Sequence, residues 1–540
     1  MTNWIYGTAG RDILHGTDQA DEIWGQGGND SLFGGAGDDW LLGGSGADTF
    51  AGGSGSDGVG YFDSSVGVTV ILGVSASYGA AEGDVIAADI ENLSGSFHAD
   101  TLAGDIQENL ITGGPGADLI RGNGGDDAVF GDDGWDNVSG GSGNDSVIGG
   151  DGDDTIYGED GDDWLDGSVG ADYISGGSGV DTVSYRYNSI AGVTVDLANG
   201  TGSGGNAAGD RLVSVEAIDG SDYSDTLIGN VGANTLQGFS GNDVLRGGAG
   251  ADRLIGGRGI DSASYWGAAT AVTVNLANGT GTGGDAQGDS FDGIENINGG
   301  KAGDTLIGNG WINILNGFEG DDVLRGGAGA DELVGGSGYD ISSYWGAINA
   351  VTVNLATGTG TGGEAQGDSF DDIEGINGGN AGDTLIGSNG VNLLNGFDGN
   401  DSIDGAAGHD LLDGGTGNDQ LRGGSAMDQL TGGAGADTFI YITAGESPSS
   451  AAGRDLITDF SQAQSDKIDL SLIDANTSAA GNQTFTYIGT GLFTGVAGQL
   501  HIWYDAGKTI VSGDVNGDKV ADFAIALTGI LSPVAADFVL

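Results

Sequence analysis

The chain has 540 residues, among them 116 Gly, 3 Pro and no Cys, and 79 acids against 14 Lys and Arg give a formal charge of −65. That charge excludes the usual electrostatic route to nucleic acid or to an anionic membrane surface, and the lack of thiols excludes disulfide staples and cysteine chemistry. Acidic, glycine-rich composition is a prior for disorder unless a strict pattern overrides it.

Residues 1–6 carry neither the basic nor the apolar region of a secretory signal, so none is expected there. No run of 18 apolar residues occurs, so no membrane-spanning helix is expected. From Gly7 a nine-residue block G-G-x-G-x-D-x-U-x, with U apolar, takes over; Gly140-Gly141-Ser142-Gly143-Asn144-Asp145-Ser146-Val147-Ile148 is a good copy. The period keeps phase through five tracts, residues 7–60, 95–184, 220–264, 299–343 and 378–440, which hold 6, 10, 5, 5 and 7 blocks. Position one is always Gly, and position eight is apolar in every block but one, where Ser342 stands.

Six residues of a block suit a turn and three a strand. Glycine bends the backbone tightly and turns carbonyls inward, while the alternation of x-U-x points one apolar residue in and its neighbours out. Two blocks then form one flattened coil of 18 residues, and stacked coils bring the aspartates of blocks i and i+2 to about 4.8 Å. Two carboxylates at that separation repel by roughly 3–4 kcal/mol at an effective dielectric near 20. A hard dication between turns reverses the sign, and oxygen-only ligands without His or Cys select Ca²⁺.

The expected ligands are the position-six aspartates. They are Asp12, Asp21, Asp30, Asp39, Asp48 and Asp57 in the first tract, and Asp100, Asp118, Asp127, Asp136, Asp145, Asp154, Asp163, Asp172 and Asp181 in the second. Asp225, Asp243, Asp252 and Asp261 follow in the third, Asp304, Asp322, Asp331 and Asp340 in the fourth, and Asp383, Asp401, Asp410, Asp419, Asp428 and Asp437 in the fifth. The second block after each insert carries Asn109, Asn234, Asn313 or Asn392 instead, where weaker sites are expected because an amide brings no charge. If a site needs blocks i and i+2 of one tract, the tracts supply 4, 8, 3, 3 and 5 sites, on the order of 20 calcium ions in all. The block resembles the RTX, or haemolysin-type, calcium-binding nonapeptide, and the resemblance implies an all-β fold, a parallel β-roll stapled by calcium.

Four β-rich inserts separate the tracts, at residues 61–94, 185–219, 265–298 and 344–377. Val193-Thr194-Val195-Asp196-Leu197, Val272-Thr273-Val274-Asn275-Leu276 and Val351-Thr352-Val353-Asn354-Leu355 recur at a spacing of 79, each followed by a Gly-Thr-Gly-rich loop, a Gly-Asp pair and an Ile/Val-Glu pair. At 34 or 35 residues an insert nearly equals two coils, so wide rungs that continue the stack are favoured over side hairpins. Tyr265-Trp266 and Tyr344-Trp345 open two of them and suit either packing over a rung or stacking on sugar rings.

Residues 441–540 lose the period and carry 11 acids and 4 bases, so −58 of the charge lies in residues 1–440. Alternating segments at residues 483–488, 499–504 and 508–511 predict a β-rich cap that closes the solenoid edge. Asp514, Asn516, Asp518 and Asp522 imitate the start of an EF-hand loop but Ile525 replaces its last acid, so a hairpin turn is favoured there. Arg454-Asp455-Leu456-Ile457-Thr458-Asp459-Phe460, Asp466-Lys467-Ile468-Asp469-Leu470-Ser471, Ala497-Gly498-Gln499-Leu500, Gly513-Asp514-Val515-Asn516-Gly517-Asp518 and Asp537-Phe538-Val539-Leu540 resemble, in that order, the C-terminal domain of serralysin-type secreted metalloproteases. The resemblance implies an uncleaved signal for a type I secretion exporter. It does not extend to the protease: the four histidines, His15, His98, His409 and His501, are too far apart in sequence for H-E-x-x-H.

The expected protein is therefore a non-enzymatic, secreted calcium-binding roll at the cell surface or in the extracellular matrix, unfolded before export and folded by calcium afterwards. Its N-terminal edge, with six residues before the first block, could pair with another molecule, and a cell-surface or matrix polysaccharide is a possible partner. The alternative is a polysaccharide-modifying enzyme of the epimerase or lyase kind, or a glycan-binding module, on a β-helical scaffold.

Overall fold

A computed structural model describes residues 3–540. The chain divides into two units, one of Met1–Ser264 with Ala286–Ile294 and one of Tyr265–Asp285 with Glu295–Leu540.

In the first unit the nonapeptide period becomes two parallel ladders. On one face Leu119–Gly124, Asn137–Ser142, Thr155–Asp160 and Tyr173–Ser178 pair in register, Ile120 opposite Val138, Val138 opposite Ile156, and Ile156 opposite Ile174. The intervening blocks build the other face, where Val129, Val147, Leu165 and Val183 align in the same way. All eight of these position-eight side chains are fully buried, so the core is two facing columns of one apolar residue per block. Each such burial stabilises by about 1.5–3 kcal/mol, and a slip of one residue would turn the column outward.

Within each unit, insert strands continue the stack. In the second insert Arg211–Val213 pairs parallel with Tyr173–Ser178, and Thr194–Asp196 pairs parallel with Thr226–Ile228. Thr201–Ser203 fills the space between them as an antiparallel strand. The first insert joins likewise: Thr69–Ile71 pairs with Thr101–Ala103 and Val85–Ile86 with Thr49–Ser54. In the second unit the fourth insert repeats the scheme, with Thr359–Thr361 antiparallel between Thr352–Asn354 and Ser369–Asp371. The Gly-Thr-Gly segments, expected as loops, are thus strands. Their threonines carry β-propensity, and the central glycine is required by crowding: a Cβ on Gly360 would stand 2.6 Å from the Ala365 carbonyl oxygen.

Block parity sets which face an insert joins. Ten blocks separate the first two inserts, which share a face of the first unit. Five separate Thr273–Asn275 from the fourth insert in the second unit, and these join opposite faces.

At the C-terminal end of the second unit Leu456–Ile457 continues one ladder and Lys467–Asp469 the other. An antiparallel sheet, Gln499–Asp505, Lys508–Asp514 and Phe523–Thr528, pairs its last strand with Leu456–Ile457, while Phe538–Val539 pairs with Lys467–Asp469. The core is continuous from Leu421 and Phe439 into Leu500, Val511, Phe523 and Phe538. Of the segment at 483–488 only Thr486–Tyr487 is strand. The loop after Gly513 closes on itself, with the Asp514 carboxylate accepting from the N–H of Gly517 and Lys519, and Asp522 from Val515.

Leu421 is fully buried and its neighbour Gln420 exposed. Leu421→Ala is expected to destabilise the calcium-loaded protein by about 2–5 kcal/mol and Gln420→Ala by less than about 0.5 kcal/mol, as read by chemical denaturation.

Candidate metal centre

The block Gly140–Ile148 shows how the turn is made. Gly141 and Gly143 have φ of 123° and 130°, in the left-handed region that favours glycine. Crowding adds a second requirement: a Cβ on Gly141 would fall on the Asn123 carbonyl oxygen, one on Gly143 on that of Gly125, and one on Gly140 on the Asp145 carboxylate. The gap between stacked turns is therefore lined by backbone carbonyls from the turn 18 residues earlier and by the carboxylate of the turn's own block.

The position-six aspartates form two hydrogen-bonded ladders. In the second tract the N–H of Asp100 donates to Asp118 Oδ1 at 2.7 Å, Asp118 to Asp136 at 2.7 Å, Asp136 to Asp154 at 2.8 Å and Asp154 to Asp172 at 2.8 Å. The second ladder runs Asn109, Asp127, Asp145, Asp163, Asp181 with bonds of 2.7–3.0 Å. Each bond fixes one carboxylate oxygen and aims the other into the gap. These aspartates are almost wholly buried.

That other oxygen separates two groups. In the first blocks after an insert it is already bonded: Asp100, Asp225, Asp304 and Asp383 each accept one N–H from a valine of the insert with Oδ1 and one from position two of their own turn with Oδ2. At the start of the chain Asp12 and Asp21 take the N–H of Thr8 and Thr17 in the same way. From the third block of the first, second, fourth and fifth tracts onward, beginning at Asp30, Asp118, Asp322 and Asp401, Oδ2 is buried with no hydrogen-bond partner, as it is at Asp243 in the third. Such oxygens number 4, 8, 3 and 5 in the first, second, fourth and fifth tracts; in the third, Asp252 and Asp261 stand at the equivalent positions after Asp243. A buried acceptor without a donor costs about 1–3 kcal/mol, more when charged, so each is a candidate ligand for a cation.

The ion pairs Arg325–Glu364, Arg422–Asp404 and Arg422–Glu446 involve no ladder aspartate. Among the described residues no three acidic or histidine side chains converge as a metal cluster, so an ion would take one or two carboxylates and complete its shell from carbonyls. That all-oxygen, flexible set fits Ca²⁺, which takes six to eight such ligands, and not zinc or copper.

Electrostatics agree. Burial, with repulsion from neighbouring carboxylates added, pushes Asp118 and Asp127 up to about 7 and Asp172 to about 8; backbone hydrogen bonds only partly offset this. Without metal, the stacked form resists the charges that the sequence gives it.

The four asparagines behave differently from the weak ligands expected. Asn109, Asn234, Asn313 and Asn392 accept the N–H of position two of their own turn with Oδ1, at 2.7–2.8 Å. Their amide nitrogens donate to the carbonyls of Glu91, Glu216, Glu295 and Glu374, at 2.7–3.0 Å. An aspartate there would set a carboxylate against a carbonyl, so the amide is used for its donor.

Sequence reasoning also passed over groups in the inserts. Tyr61, Tyr185 and Tyr344 are buried and donate their hydroxyls to Oδ2 of Asp84, Asp210 and Asp368, at 3.0, 2.9 and 2.7 Å. Glu91, Glu216 and Glu374 accept the N–H of Asp57, Asp181 and Asp340. The recurring insert-opening tyrosine and the later Gly-Asp and Ile/Val-Glu pairs were the available signal. Trp266 and Trp345 lie beside buried tyrosines yet are 62% and 64% exposed.

Comparison with known families places this geometry. The RTX calcium-binding nonapeptide repeat matches residues 2–59, 94–183, 219–263 and 312–341 in overlapping copies, and the serralysin C-terminal domain of the M10 peptidases matches residues 369–540. The chain is an RTX-repeat protein with a serralysin-type C-terminal domain. The repeat matches in this RTX protein break off across the first three inserts. Among solved structures it is similar to the R3 and R2 subunits of the Azotobacter vinelandii mannuronan C5-epimerase AlgE6. The identities are 29% and 28%, over 29% of this chain and 78% and 88% of those chains, with TM-scores of 0.16 and 0.17. It is also similar to the extracellular lipase LipA of Serratia marcescens, at 18% identity over 45% of this chain and 39% of that one, TM-score 0.15. Among curated proteins no match is found. RTX repeats and serralysin C-terminal domains are typical of extracellular proteins exported by type I secretion, and among the described residues no helix is long and apolar enough to cross a membrane.

A carboxyl whose pKa is raised by folding stabilises the folded form below its unfolded value, near 3.8, and loses that contribution as pH rises through its folded value, here about 6 to 8. In chelator, β-structure by circular dichroism is therefore expected to be greater at pH 5 than at pH 8. The opposite trend would show that these carboxylates are not the groups that oppose folding.

Proposed function

We propose that the RTX-repeat protein is an extracellular, calcium-folded scaffold with a structural or adhesive role, not an enzyme. The observation that carries the reading is the position of the orphaned carboxylate oxygens, which start at the third block of a tract, where a nonapeptide turn first has another beneath it. In this reading those aspartates and the carbonyls of the turn 18 residues earlier hold the ions, about 23 when every tract is filled. Calcium supplies the counter-charge between turns. Their combined charge would bring residues 1–440 from −58 to about −12, a soluble surface.

Export fits the same chemistry. Extracellular calcium modules bind at about 10⁻⁴–10⁻³ M, so cytosolic calcium would leave the chain unfolded and threadable. In the folded cap Asp537 is held by the N–H of Val534 and by Gln462, and Phe538 is buried. An exporter that reads these last residues would therefore read them on the unfolded chain. At the other end Asn3–Tyr6 pairs, among the described residues, with Asp21–Trp24 alone and leaves Trp4 and Tyr6 exposed, a place for pairing with a second molecule.

A glycan-binding role has one observation in its favour, the exposure of Trp345 beside the buried Tyr344. Loss of binding to envelope polysaccharide in Trp345→Ala, with calcium-dependent folding intact, would support it.

The scaffold reading is tested by circular dichroism and by bound calcium after gel filtration. Coil in chelator at pH 8, β-structure at millimolar calcium and about 23 ions per chain are expected. A folded roll in chelator, or a handful of ions, would overturn it.

A further inference from the structure

Each insert interrupts the nonapeptide stack and creates four gaps that lack a pair of nonapeptide turns. The second insert shows how they close. The N–H of Asp172 donates to Asp210 Oδ1 at 2.9 Å, which continues one aspartate ladder, and the N–H of Asp181 donates to Glu216 Oε2 at 3.1 Å, which continues the other. On the far side, Asp225 takes the N–H of Val193 and of Ser221, and the Asn234 amide bridges Asn230 and the Glu216 carbonyl. Backbone N–H groups and one amide therefore settle the two gaps on the far side, and over Asp181 the half-buried Glu216 carboxylate is reached by solvent.

The gap over Asp172 is the exception. Asp210 is buried and its Oδ1 is bonded as in every ladder aspartate, so its Oδ2 corresponds to the oxygen left orphaned throughout the tracts. Here that oxygen receives the hydroxyl of Tyr185, a side chain with no exposed surface. The arrangement recurs with Tyr61 on Asp84 and Tyr344 on Asp368, and in each case the carboxylate's other oxygen takes the N–H of the ladder aspartate below, Asp48 or Asp331.

We infer that these tyrosines are built-in substitutes for the cation: each hydroxyl neutralises the demand of one buried ladder carboxylate, so that an insert is a rung needing no calcium. The inference rests on the calcium reading of the tracts and deepens it. Ion sites are then grouped tract by tract, and the first, second and fourth inserts each hand the carboxylate ladder from one group to the next without metal. A hydroxyl is suited to the task because it donates a hydrogen bond to a carboxylate in a buried site, and its ring is itself buried.

Tyr185→Phe separates this role from packing, since Phe keeps the ring and removes only the donor. The single variant is expected to need several-fold more calcium to reach half its β-structure, or to take up one further ion per chain, because Asp210 is left as an orphaned carboxylate. In Tyr185→Phe with Asp210→Asn the charge is gone, and the calcium midpoint is expected to return close to that of the unaltered chain. A single variant that behaves like the unaltered chain would overturn the inference, as would a double variant no better than the single one. If the unaltered chain folds without calcium, the scaffold reading fails by itself, and chemical denaturation of the same variants still decides the role of Tyr185.

Discussion

The structure depends on a hydrogen bond that stacks like-charged residues on one another. The backbone N–H of one buried aspartate donates to the carboxylate of the aspartate 18 residues later, and the pattern repeats up both sides of the stack. A charge-assisted bond of this kind contributes about 1.5–3 kcal/mol. Against it stand the burial of the carboxylate and repulsion of roughly 3–4 kcal/mol from the next one, about 4.8 Å away. The bond orients the carboxylate; it does not neutralise it. Every other feature of the repeat, from the glycines that bring carbonyls into the gap to the apolar column that sets the register, positions oxygen around that unmet charge.

This explains why glycine dominates the turn. At Gly143 both the left-handed backbone and the carbonyl of Gly125 against its α-carbon exclude a side chain. A side chain there would force apart the turns whose oxygens must converge. Conformation and ligand geometry thus impose the same residue, and the period survives through tracts whose strand residues vary.

The architecture was legible in the sequence because the nonapeptide encodes turn, strand and core in fixed order: Val147 had to point inward and Asp145 into a turn. The count of orphaned oxygens in the first, second, fourth and fifth tracts follows from the same arithmetic, since only a block two places into a tract lies over another turn. The inserts were harder to read. Their valine-rich strands were evident, yet the antiparallel return at Thr359–Thr361 was hidden by glycines that suggest a loop. The tyrosine–aspartate contacts were hidden because they join residues 23 to 25 positions apart with no periodic relation. The asparagines were visible as a break in the motif, but their purpose, an amide donor for a glutamate carbonyl, depends on what the fold sets beneath them.

The central claim is that a cation occupies the gap between each pair of stacked nonapeptide turns. Removing one coil, residues 140–157, deletes two blocks from the ten-block tract without changing its phase. Bound calcium, counted by mass spectrometry on the folded protein, is then expected to fall by two ions per chain. An unchanged count, with the shortened protein still folded, would contradict the account.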